Sequence, residues 1–286
     1  MRGRQTSRPA IWRRRLLAVA ALAVVAVVAW RVVVGVLEPD QRGAHLVHLT
    51  IRSKAVGRSL PTTVVVPAGA GDGAGRPILL FLHGRGGDQN SELDDQFYAA
   101  LAKLGSRAPV VAFPYGGEAS YWHDRADGDW DRYVMSDVIP RVATATGADP
   151  KRVAVGGISM GGFGAFDLAL HHPGSFCAVG AHGPAIWQTG AETAAGAFDD
   201  AEDFARNDLV GSVRSDPAPF TSQPDWLDAG AQDPFQPGDQ AFAAGLRAAG
   251  ADATIKLTRP GGHDSDYWNA HWDEYLRFYA DALARC

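Results

Sequence analysis

Hydrophobic residues in this chain fall into short runs of four to seven residues, apart from one much longer run near the amino terminus. Residues 44–66 alternate apolar and polar positions and carry β-branched stretches (HLVHLTI, then TTVVV), a period of two that predicts a pair of strands. PILLFL at 77–82, VVAF at 110–113 and RVAVGGI at 152–158 are continuously apolar, as strands buried on both faces must be. FCAVGA at 176–181, WLDAGA at 226–231 and ATIKLT at 253–258 read as further strands. Between them, spacing near 3.6 predicts helices over 91–104, 132–146, 159–171, 237–249 and 266–284, with Pro173 stopping the third. Strands alternating with helices imply an α/β fold whose mostly parallel sheet is covered on both faces. The stretch 184–224 breaks the rhythm and brings its own aromatics, Trp187, Phe198, Phe204 and Phe220. An insertion of that length is usually functional. It is expected either to cap a site, with Tyr121 and Trp122 as the facing wall, or to pack onto the domain.

The long run is LLAVAALAVVAVVAW at 16–30, continuing past Arg31 to Leu37. As a helix its 22 residues would extend about 33 Å, enough for a bilayer core. Six arginines precede it, and the positive-inside rule would leave the amino terminus in the cytoplasm and the remainder outside. A cleaved signal peptide and an uncleaved signal anchor both fit. The length and the lack of a clear small-x-small site favour the anchor. Arg13-Arg14-Arg15-Leu16-Leu17 also resembles a twin-arginine export signal. The chain therefore divides into an Arg-rich, membrane-directed segment at 1–40 and a globular domain at 41–286.

Charge sharpens that division. Residues 1–40 hold seven Arg against Glu38 and Asp40; of 27 basic and 32 acidic residues in all, 20 and 30 fall in 41–286, a net of −10. An acidic body without a basic stripe excludes nucleic acid as a partner. The two cysteines do not make a disulfide framework: Cys177 reads as a small core residue and Cys286 as a solvent-exposed end.

Chemistry enters at Gly157-Ile158-Ser159-Met160-Gly161, a G-x-S-x-G sequence that follows a buried strand and opens a helix. That context is a nucleophile elbow: a strained turn projects the hydroxyl while glycines let neighbouring segments approach. A serine needs a base, and in this arrangement the acid and the histidine follow it in chain order. Asp233 lies just past the WLDAGA strand and His263 just past the ATIKLT strand. Asp228 sits inside its strand and is expected to pack or hydrogen-bond locally. Asp264 and Asp266 lie too close to His263 to orient it. His271 falls in the last helix as a surface or packing residue, and His171-His172 reads as a helix cap. His123-Asp124 lacks further ligands at metal spacing, so neither metal nor cofactor is expected. Developing negative charge needs two fixed N–H donors. Met160 supplies one, and the turn His83-Gly84-Arg85-Gly86-Gly87 supplies the other through Arg85.

With those residues stands a resemblance. Leu82-His83-Gly84, Tyr121-Trp122-His123-Asp124, Gly157–Gly162 with Phe163-Gly164-Ala165, Gly230-Ala231-Gln232-Asp233-Pro234 and Gly262-His263 with Tyr267-Trp268 resemble the esterase family of α/β hydrolases. That family includes esterase D, S-formylglutathione hydrolases, feruloyl esterases and the antigen 85 mycolyltransferases, and the matching pieces cover about 77–280. The resemblance implies the α/β-hydrolase fold and cofactor-free acyl transfer to water or an alcohol. In it Ser159 attacks, His263 relays the proton, Asp233 orients the histidine, and Arg85 with Met160 holds the oxyanion. Tyr121, Trp122 and Trp187 are the expected substrate wall. The expected partner is a small-molecule, lipid or sugar ester. The membrane-directed start sits better with cell-envelope acyltransferases than with the cytoplasmic members. A membrane-anchored binding protein that merely keeps the fold is the reading from a different class.

Overall fold

The computed structural model describes residues 39–286, so the apolar run at 16–37 and the export signals read there lie outside the described residues. Eight strands make the main sheet: β1 (His45–Arg52), β2 (Ser59–Val66), β3 (Pro77–Leu82), β4 (Val110–Pro114), β5 (Asp149–Ile158), β6 (Val179–His182), β7 (Asp225–Gly230) and β8 (Ala253–Arg259). Their order is β1-β2-β4-β3-β5-β6-β7-β8. β2 runs antiparallel to both β1 and β4, and every other pairing is parallel. This is the α/β-hydrolase fold.

Side-chain alternation explains why the apolar runs had to be strands. In β3, Ile78, Leu80 and Leu82 enter one core, where they meet Tyr133, Val142, Phe163 and Phe166. Leu79 and Phe81 enter the other, with Phe97, Leu101, Trp272 and Tyr279. A strand apolar at every position thus serves two layers of helices. The α-helices of five residues or more are α1 (Asp95–Lys103), α2 (Ile139–Thr146), which a π-helical stretch Tyr133–Val138 precedes, α3 (Met160–His171), α4 (Ala201–Arg206), α5 (Leu209–Ser215), α6 (Gln236–Ala249), α7 (Ser265–Asn269) and α8 (Trp272–Arg285). α1 and α8 cover one face; α2, α3 and α6 cover the other. Residues Gln41–Cys286 form one compact unit. Among the described residues no helix is long and apolar enough to cross a membrane.

Three expectations change. The closing helix is two helices, because His271 caps α8 and its Nδ1 bonds the Tyr267 carbonyl at 2.7 Å. The strand expected at 176–181 begins only at Val179. Cys177 is buried in the core and Cys286 is an exposed end, as expected, but the two are joined: they form a disulfide, with Cα atoms 5.7 Å apart. The end of α8 lies back across β5, where Arg152 donates to the Leu283 carbonyl, and this return brings the terminus to Cys177.

Candidate active site

The carboxyl ends of β3, β5, β7 and β8 converge, as ligand sites in such sheets do. Ser159 follows β5 directly, with φ 56 and ψ −114. Such a backbone costs a non-glycine residue on the order of 1–3 kcal/mol and persists only when its surroundings over-determine it. Here they do. The Ser159 N–H donates to the His182 carbonyl, and its own carbonyl accepts from Phe163 and Ala185. Gly161 permits the turn, because a Cβ there would stand 2.0 Å from the Leu82 carbonyl oxygen.

His263, past the end of β8, reaches Ser159 Oγ through Nε2 and Asp233 Oδ2 through Nδ1, both at 2.8 Å. Asp233 also accepts the Phe235 N–H at Oδ1, and its side chain is wholly buried. A carboxylate can only accept, so the imidazole carries its proton at Nδ1 and offers a lone pair at Nε2 to the serine hydroxyl. The loops holding the two partners are tied together. The Gln232 N–H donates to the Gly261 carbonyl, and Gln232 Oε1 accepts the Gly261 N–H. The ring of His263 lies between Phe235, 5.0 Å away, and Trp268, 5.1 Å away.

On the other side of Ser159 stands the turn after β3. Gly84 comes so close that a Cβ on it would lie 3.4 Å from Ser159 Cβ. His83 anchors this turn: Nε2 accepts the Gly116 N–H, so Nδ1 carries the proton and donates to the Gly84 carbonyl. Burial lowers its pKa, which keeps the ring neutral and this pattern intact. Met160 opens α3, in the first turn where backbone N–H groups have no partner inside the helix. Arg85 follows Gly84, and its guanidinium donates to the Ala195 carbonyl at 3.0 Å, away from the serine.

A cavity of about 290 Å3 opens at Ser159, lined among others by Arg85, Ser91, Glu92, His263, Trp268 and Asn269. None of Tyr121, Trp122 and Trp187 lines it. Trp122 is fully buried, its indole against Gly116 and Gly164 and its Nε1 donating to the His83 carbonyl. It packs beneath the turn after β3 and supplies no substrate wall. Tyr121 is also buried and packs on Phe163, Trp187 and Phe198. Trp187 lines a different cavity of about 460 Å3, together with Ile186, Pro234, Phe235 and Pro237. Phe235 lines that cavity and also packs against His263, so it links the second cavity to the histidine.

Asp228 is more than a local packing residue. Trp226 is its one near neighbour in sequence; His182, Tyr267 and Tyr275 donate to it from 39–47 residues away. Burial alone would raise its pKa, yet the hydrogen bond from His182 and those from the two tyrosines hold it below the usual carboxylate value. His172 does cap α3, and its Nε2 bonds Asp131. Three site residues escaped the sequence reading. Gly183 has positive φ and lies beneath the Asp233–His263 pair; Phe235 and Glu92 sit in runs that read as ordinary helix starts.

With the geometry in place, relatives can be compared. The sequence signature of the family described as Putative esterase matches residues 53–279. The chain belongs to that family. It is 31% identical over 169 residues to the MPT51 antigen of Mycobacterium leprae, covering 57% of this chain and 52% of the relative. It is 28% identical over 151 residues to the diacylglycerol acyltransferase/mycolyltransferase Ag85A of Mycobacterium ulcerans, covering 47% and 41%. The chain thus spans about half the length of these curated relatives. A solved ferulic acid esterase superposes with a TM-score of 0.73 at 21% identity, covering 84% of this chain and 99% of that one.

Proposed function

We propose that this chain is a serine esterase in which Ser159 is the nucleophile. The observation that carries the reading is the unbroken hydrogen-bonded series Asp233–His263–Ser159, ending on a hydroxyl held in a strained turn. In the reaction His263 Nε2 takes the Ser159 proton as Oγ bonds the ester carbonyl carbon. The N–H groups of Met160 and Arg85 receive the oxyanion. The tetrahedral intermediate collapses as His263 gives its proton to the leaving alcohol, which leaves an acyl-serine. Water repeats the sequence to release the acid. Asp233 holds the ring in its tautomer throughout, and no cofactor takes part.

A second reading replaces water with an alcohol acceptor, giving acyl transfer. The similarity to a diacylglycerol acyltransferase/mycolyltransferase favours it, as does a second cavity lined by Phe235, the residue packed against His263, which gives acyl chain and alcohol separate room. In either reading the cavity at Trp187 and Phe235 takes the acyl chain, and residues 184–224 form its cap. We place the domain outside the cytoplasm. The Arg-flanked apolar run at 16–37 supports this, and so does the Cys177–Cys286 disulfide, since such bonds persist in oxidising compartments.

The test is hydrolysis of p-nitrophenyl esters of graded chain length by the full-length chain. Ser159→Ala and His263→Ala should each lower kcat by on the order of 10⁴-fold or more, and the double variant should add little, because such residues act as a unit. Substantial activity in Ser159→Ala would remove the nucleophile. Wild-type inactivity on every ester, with retained ligand binding, would favour the binding-protein reading.

A further inference from the structure

Among the described residues Glu92 is the one carboxylate lining the cavity at Ser159, and the mechanism above gives it no task. The residue is 8% exposed, and its Oε2 has no hydrogen-bond partner. The one hydrogen bond acting on its carboxyl comes from its own backbone N–H. The charges that act on it are Asp88 and Asp94, both acidic. Arg85, on the same wall, directs its guanidinium to the Ala195 carbonyl and to Tyr121 instead. Burying a carboxyl without a counter-ion, in the field of two further acids, costs free energy that folding alone does not explain. What Glu92 lacks is a positive partner of its own, since the guanidinium of Arg85 is engaged elsewhere.

The position of the cavity says which half of a substrate would bring that charge. Its wall continues from His263 through Ser265, Trp268 and Asn269. His263 Nε2 must return a proton to the leaving oxygen, so the alcohol half of the ester stands on this side. We propose that the cavity beside Ser159 selects esters whose alcohol half carries an ammonium group, with Glu92 as its counter-ion and Trp268 as an aromatic wall. This rests on the esterase reading and adds a substrate class to it. A carboxylate opposite an ammonium supplies the attraction, and an indole nearby contributes further through its ring electrons. An anionic alcohol would meet repulsion. A metal ion would find a single carboxylate where it needs several oxygens.

Burial raises the Glu92 pKa to about 8, with Asp88 adding to the shift. In the empty cavity Glu92 is therefore largely neutral at pH 6.5 and charged at pH 9. Asp88 and Asp94 face it from its own loop, Arg85 from the turn after β3 and His263 from across the cavity. Any pH effect on the catalytic steps shared by both substrates scales them alike and cancels in a ratio.

The probes are acetylcholine, whose charge is fixed at all pH, and its uncharged isostere 3,3-dimethylbutyl acetate, with p-nitrophenyl acetate as reference. Full-length wild-type enzyme should prefer the cation, and the kcat/KM ratio of the pair should grow on the order of tenfold between pH 6.5 and 9. In Glu92→Gln the ratio should be near one and flat with pH; because it is read within each variant, any general loss of activity drops out. A flat ratio in the wild type overturns the proposal, as does an unchanged ratio in Glu92→Gln. Hydrolysis of p-nitrophenyl acetate with neither member of the pair accepted also overturns it and leaves the esterase reading standing. Inactivity on all three, and on longer p-nitrophenyl esters, overturns both.

Discussion

A buried carboxyl without a partner leaves a mark on stability as well as on specificity, and Glu92 allows the two to be measured separately. Its folded pKa of about 8 lies above the ordinary 4.5, so the folded state holds a proton that the unfolded state has already released. Stability must then fall as pH rises through that window, and the group destabilises the fold fully only above pH 8. Replacing it by neutral Gln should have little effect on Tm at pH 4.5 and should raise stability by up to a few kcal/mol at pH 9. Thermal scans of both proteins at the two pH values check this. An equal Tm difference at both would mean that Glu92 is solvated. No sequence pattern announced Glu92, since a glutamate before a helix start is usually a solvated cap. Ser159, His263 and Asp233 were legible for the opposite reason. Each follows the end of a strand, and strand ends are where an apolar run meets glycine or proline in the sequence.

At the scale of elements, the inner strands β3 to β7 were readable because two-sided burial between two helical layers writes a continuous apolar run, whereas the outer pair β1 and β2 showed as alternation. The roles of the aromatic residues were not readable, because an indole that lines a cavity and one that fills a core look alike in a sequence. Trp122 and Trp187 separate in the structure. Trp122, between Gly116 and Gly164, supports the turn after β3, and Trp187 faces the cavity shared with Phe235. Trp122→Ala should cost about 3–5 kcal/mol of stability, since its removal empties a fully packed volume. It should not change which acyl chain is preferred. Trp187→Ala should shift the preferred p-nitrophenyl ester toward longer chains, with a smaller stability loss. Denaturation midpoints and a chain-length series give both readouts. Should the preference move with Trp122 and stay fixed with Trp187, the acyl chain does not lie in the cavity at Phe235.

Across the whole molecule, the two faces of the sheet are held by different means. The face carrying α2, α3 and α6 is a broad apolar core joined to the insertion. The face carrying α8 also contains the buried Asp228 network, which ties β6 and β7 to α7 and α8, and the disulfide, which fixes the end of α8 to the approach to β6. This bond could not be read from spacing, because its partners are 109 residues apart and only the return of α8 across the sheet brings them together. Closing so long a loop restricts the unfolded chain strongly, an effect worth about 2–5 kcal/mol for native disulfides. Reduction, or Cys286→Ser, should therefore lower Tm by on the order of 10 °C for a domain of this size. Because the bond lies away from Ser159, activity at 25 °C should persist while the fold does. Calorimetry with and without reductant measures the first effect, and ester hydrolysis measures the second. The same bond tests the location proposed for the domain. Protein taken from the cell envelope and alkylated before reduction should show both cysteines protected, as an oxidising compartment requires. If both are alkylated in freshly isolated envelope protein, the bond does not form in place, and the case for an exported domain falls back on the Arg-flanked apolar run alone.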